Sequence, residues 1–179
     1  MEREIEIDTV SDAHIALGLA PPKHPLVSII KNDEVKNVGS FNDTKVISKL
    51  YSIVLKKGIC GDLKYGVSNY DFQSGTLLFT APNQVIQYDN IIETKEGSSE
   101  GWNLIFHPDL IRKSNLSKKI REYSFFEYRV NEGLHLSENE KETIEVLITK
   151  VVQEYEQAID KHSQHLISLN IELLLDYCV

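Results

Sequence analysis

The feature that most restricts this chain is a change of hydrophobic period near residue 107. Before it, apolar residues come in short β-branched runs separated by turn residues; after it, they recur at steps of three and four. Residues 26–30 (LVSII), 50–55 (LYSIVL), 77–79, 85–88 and 102–106 read as strands. Leu63, Tyr65 and Val67 fall on one face of a further strand. Asn32-Asp33-Glu34, Lys56-Lys57-Gly58 and Ala81-Pro82-Asn83 supply turns, and the polar run ETKEGSSEG supplies a loop. Several short strands with regular turn signals predict a sandwich or barrel. The prolines at 21, 22 and 25 predict an extended leading segment, because a residue before proline is pushed out of the helical region.

Past residue 106 the pattern is helical. His107-Pro108-Asp109 opens a short helix predicted to run to about residue 120, with proline at its first position. Ser137-x-x-Glu140 is a capping box that starts a long helix. Ile144, Leu147, Ile148, Val151, Val152, Tyr155 and Ile159 form its apolar stripe. A second helix is predicted from Ser163 or His165, carrying Leu166, Ile167, Leu169, Ile171, Leu173, Leu174 and Leu175. The sequence thus divides into a strand-rich part, 1–106, and a helical part, 107–179. The last residues, LLLDYCV, are apolar and carry no helix-stop signal. This predicts that the chain is cut here and that more protein follows.

Length, charge and cysteine content narrow the class. With 179 residues the chain suits one domain. Nineteen Lys and Arg face 27 Asp and Glu, a net charge of -8, which makes a poor DNA-binding surface. Cys60 and Cys178 are too few and too distant for a disulfide framework. The first residues form no apolar signal core, and no apolar run is long enough to span a membrane. The expected location is the cytoplasm, with no membrane partner.

Few residues point to chemistry. His162 and His165 are placed to chelate a metal, but a third ligand is missing, so solvated histidines are the expectation. No nucleophile elbow and no phosphate loop occur, so no catalytic residue is assigned. Arg112, Lys113, Lys118, Lys119 and Arg121 read as a solvated helix face rather than a nucleic-acid patch. Tyr51, Tyr65, Tyr70, Phe72, Phe79 and Trp102 are candidates for a barrel interior, where aromatic faces suit a sugar or other polar organic molecule. Trp102 shares its strand parity with Leu104 and Phe106. Strand parity assigns His24, Tyr51, Tyr65 and Trp102 as the expected ligand contacts. The stripes on the two long helices exceed what one small barrel needs, which predicts a protein–protein seam through Leu166, Leu169 and Leu173.

Four segments together carry a resemblance: GLAPPKHPLVSII (18–30), YDFQSGTLLFTAPNQVIQY (70–88), GWNLIFHPDLI (101–111) and ISLNIELLLDYCV (167–179). They are similar to the N-terminal sensor domain of AraC-type bacterial transcription regulators. The resemblance implies a mainly β fold with α: a cupin-like antiparallel β-barrel of the double-stranded jelly-roll type, then a C-terminal helical hairpin. It implies a homodimer through the C-terminal helices and an unidentified small-molecule effector in the barrel. It also implies that DNA is contacted only through a helix-turn-helix domain beyond Val179. Enzymatic cupins bear metal-binding histidines on the strands that here read GDLKYGVSNYDF and LLFTAPNQV, without histidine. The expectation is therefore a non-enzyme with no metal and no cofactor; the alternative is a small cupin enzyme acting on a sugar or similar molecule.

Overall fold

A computed structural model describes residues 3–35, 41, 43–57, 64–65, 68–69, 75–88, 100–126, 133–157 and 159–179. Tyr70, Phe72, Leu63, Val67 and Cys60 lie outside the described residues. So does the side chain of Tyr65.

The described strands divide between two sheets. Strands β1 (Arg3–Ile7), β3 (Thr44–Ser48) and β8 (Val85–Tyr88) form one, in the order β1-β3-β8. The other has five strands, in the order β10-β7-β4-β9-β2. They are β2 (Val27–Lys31), β4 (Tyr51–Lys57), β7 (Thr76–Thr80), β9 (Glu100–Phe106) and β10 (Leu134–His135). A two-stranded ladder joins β5 (Lys64–Tyr65) to β6 (Ser68–Asn69). Among the described residues no ring of strands closes on itself. The pairing is not uniformly antiparallel either: β1 runs parallel to β3, with Ile5 opposite Val46. The long connection between these two strands, which includes a helix and β2, is what permits a parallel pair.

The five-stranded sheet is covered on both faces. On one, Ile30 and Ile105 meet Ile7, Val46, Leu50 and helix α1 (Val10–Ala16). On the other, Val27, Ile53, Leu55, Leu77, Trp102, Leu104 and Phe106 meet the helices. Side chains alternate along a strand, so β9 sends Ile105 to one layer and Leu104 and Phe106 to the other.

The leading segment holds more regular structure than its sequence predicts. β1 and α1 precede the prolines, and Thr9 and Asp12 close a capping box on α1. His14, on α1, is buried. Its Nδ1 donates to the Ala20 carbonyl at 2.5 Å, and its Nε2 meets the Ser28 hydroxyl at 2.8 Å. Tyr155 Oη lies 3.5 Å from that hydroxyl and accepts from the Lys23 amide at 2.9 Å. Lys23 Nζ also pairs with Glu156. One polar chain therefore runs from α1 through β2 to the end of the long helix.

The helix predicted over 108–120 is broken. α2 spans Pro108–Ile111, α3 spans Leu116–Lys119, and a 3-10 turn covers Ile120–Glu122. The Ser114 and Ser117 hydroxyls donate to the carbonyls of Ile111 and Ser114 at 2.8 Å each, offering the backbone a competing partner at the break. α4 (Glu138–Tyr155) starts at the predicted Ser137 box and buries Ile144, Leu147, Ile148 and Val151; Ile159 lies past its end and is exposed. α5 spans Lys161–Asp176, starting two residues before the predicted Ser163. Its cap is Asp160, whose carboxylate accepts from the amides of His162 and Ser163 at 2.8 and 2.7 Å. An Asp160→Ala protein should lose about 1 kcal/mol in urea denaturation, the usual weight of an N-cap.

Candidate functional site

α5 has two apolar faces. Ile167, Ile171, Leu174 and Leu175 are buried in the helix-side core, where α5 packs against α4, α2 and α3. Leu166, Leu169, Leu173 and Tyr177 advance by three, four and four residues, so they share the other side of the helix. Leu166 is half-buried. Leu169 and Leu173 are each 43% exposed and Tyr177 55%. Burying a leucine is worth roughly 1.5–3 kcal/mol, so two large leucines left this far in water make a strip available to a partner. All three predicted seam residues lie on it.

Of the expected ligand contacts, Tyr51 and Trp102 stand apart along the sheet, opposite Phe106 and Leu55 respectively. Tyr51, at the start of β4, stacks on Phe106 at 5.1 Å and meets Phe126 edge-on at 5.2 Å. Burial raises its phenol pKa above the usual value, a shift Arg121 partly opposes. Trp102 does share a face with Leu104 and Phe106, but that face packs toward the helices, away from the layer between the two sheets. Strand parity states which residues share a face and is silent on which layer that face meets. Trp102 stands four residues from Phe106 along β9, roughly 13 Å at strand rise. His24 is 3% exposed. Its Nδ1 accepts from the Leu26 amide at 3.0 Å, leaving Nε2 to carry the proton, and burial lowers the ring's pKa. His24 Nε2 and Trp102 Nε1 are both buried without a hydrogen-bond partner.

The residues that face the layer between the sheets were not singled out in the sequence. Ser52 and Val54 on β4 and Asn103 on β9 alternate with the helix-facing Ile53, Leu55 and Leu104, and all three are half-buried. Ser52 Oγ donates to Asn103 Oδ1 at 2.9 Å. Thr80, paired with Ser52 in register, extends this more polar face onto β7. The signal was present as the polar half of each alternating strand, which reads by default as solvent-facing.

A second feature sits at the far end of α5. Asp176 accepts from Lys119 Nζ at 2.5 and 2.7 Å and from Tyr123 Oη at 2.6 Å, tying α3 and the segment after it to the last turn. Lys119 and then Tyr123 hold the Asp176 carboxyl below the usual carboxylate range. The stability it supplies is present above the unfolded carboxyl value of 3.8 and is lost as pH falls through the lower folded one. The stability gap between wild type and Asp176→Asn should therefore be open at about pH 6 and close below about pH 4 in urea titrations. Lys119 thus leaves the predicted basic run, as does Arg112, which pairs with Asp109 at 2.5 Å. Beside this network lies a cavity of about 270 Å³ bounded by Phe79, Tyr123, Ser124, Phe125, Leu134 and Cys178.

No group of three or more His, Cys, Asp or Glu side chains is placed to hold a metal among the described residues. No helix among them is long and apolar enough to cross a membrane. No protein-family model matches the chain, and no curated protein matches it.

Proposed function

We propose that the chain is the effector-sensing and dimerising part of an AraC-type transcription regulator. The observation that carries this reading is α5, a helix with one leucine face in the core and a second in water. A two-sheet β unit followed by a helical hairpin is compatible with the cupin-like jelly roll that the sequence resemblance implies. In this reading a second copy of the chain covers Leu166, Leu169 and Leu173. A small-molecule effector acts on the β unit, where Ser52 and Asn103 supply polar contacts on the face toward the layer between the sheets. Contact with DNA belongs to a separate helix-turn-helix domain, since a net charge of -8 opposes binding to a polyanion. An effector can switch such a protein only if it binds two arrangements with different affinity.

Sedimentation equilibrium tests the reading. The expected species has twice the 20.4 kDa chain mass. A chain that stays monomeric at the highest concentration reached overturns the reading, as does tight, salt-sensitive binding of this chain to duplex DNA. Stoichiometric iron, zinc or manganese in the purified protein would favour the cupin-enzyme alternative instead.

A further inference from the structure

We infer that His24 is an acid-triggered release for the leading segment: a second proton on its ring detaches residues 20–26 from the sheet and from the end of α4. Three prolines leave this segment few backbone donors of its own, so a handful of ties holds it. The Lys23 amide donates to Tyr155 Oη at 2.9 Å, and the Lys23 ammonium pairs with Glu156. The Leu26 carbonyl accepts from the His107 amide at 2.8 Å. His24 sits between these ties and is 3% exposed.

Its surroundings accept the ring in one protonation state. Nδ1 accepts the Leu26 amide proton at 3.0 Å, so the single ring proton is on Nε2, which finds no partner among the described residues. A proton added at Nδ1 would set one N–H against another, break the bond to Leu26 and leave a buried cation. The ring escapes by turning out to water, and Lys23 and Pro25 on either side move with it. His14 differs: both its partners, the Ala20 carbonyl and the Ser28 hydroxyl, can accept from a ring that carries two protons.

Burial lowers the pKa of His24 in the folded chain. The stability that its neutral form supplies is therefore complete above the unfolded value of 6.5 and falls as pH drops toward the lower folded one. The titratable groups tied to the residues beside it are Lys23, Tyr155 and Glu156 at the end of α4, His14 on α1 and His107 after β9. The inference concerns one side chain and stands whether or not the chain dimerises.

Hydrogen exchange of the whole chain between pH 7.5 and 5.0 tests it, read as protection factors so that the intrinsic rate cancels. The lower limit stays above ordinary carboxylate values, near 4. Protection at the Lys23 and Leu26 amides should fall by about threefold to thirtyfold, the upper figure being tenfold per pH unit below 6.5. Leu147 and Ile148, buried on α4, should keep theirs. His24→Asn keeps an acceptor at the Nδ1 position and takes up no proton, so its Leu26 protection should not vary with pH. If that variant does not fold, Tyr155→Phe replaces it: with the Lys23 tie gone, Leu26 protection should be lower than wild type throughout and still fall with acid. Unchanged Leu26 protection at pH 5.0, an equal loss at Leu147 and Ile148, or an equal acid response in His24→Asn would overturn the inference. So would a Tyr155→Phe protein with wild-type protection at Leu26.

Discussion

A Gly101→Ala protein should lose roughly 2–4 kcal/mol of stability, enough to deplete the folded state of a marginal domain. Gly101 sits on β9 with φ of +121°, a conformation that L side chains rarely adopt. An added Cβ would stand 2.0 Å from the backbone carbonyl oxygen of Leu55. That carbonyl belongs to β4, which pairs with β7 on one side and β9 on the other. Relief therefore requires moving the centre of the sheet, with Leu55 and Leu104 both fully buried beside it. Gly75→Ala is the matched control. Its φ is +90°, but an added Cβ meets only the far end of the Lys141 side chain, which can swing away. Urea denaturation of both variants checks the argument. A Gly101→Ala midpoint equal to wild type would show that the two strands do not approach as closely as described.

Leu169→Asp combined with Leu173→Asp should weaken self-association at least about thirtyfold, the loss expected when central interface residues worth ~2 kcal/mol are removed. Each leucine is already 43% exposed, so the fold of the single chain should persist, with an unchanged circular dichroism spectrum. Leu174→Asp supplies the contrast. Leu174 is fully buried in the helix-side core, and a carboxylate there should unfold the chain. Sedimentation equilibrium with a parallel thermal melt separates the two outcomes. A double variant that still pairs as wild type does would remove α5 from the interface.

The helices were the most legible part of the sequence, because their signals are local. Ser137 and Glu140 satisfy each other's end groups over three residues, and the Ile144–Val151 stripe needs only one helix to be read. The strands near 27–31, 51–57, 76–80, 85–88 and 100–106 were legible as runs for the same reason. β1 and β3 were not. Their ladder joins residues about forty positions apart, and the charges that alternate along β1 read as solvated chain. The Thr9 capping box was available as a signal and was hidden by the prolines that follow it. α3 separated from α2 because serine hydroxyls compete for backbone groups, a balance that periodicity does not register. The leucine content of α5 is visible in sequence, but which leucines stand partly in water, Leu169 and Leu173, depends on how the helix is turned against α4. The layer that each β9 side chain enters was not, because the two coverings of that sheet come from opposite ends of the chain.

The hydrogen-bonded path through His14, Ser28 and Tyr155 has one further consequence. It latches the beginning of the molecule to the foot of its helical hairpin, residues more than 120 positions apart. Clipping off the first twenty residues would take His14 from the Ser28 hydroxyl and leave Tyr155 as its remaining partner on that path, so damage at one extremity would reach the other through a single shared group.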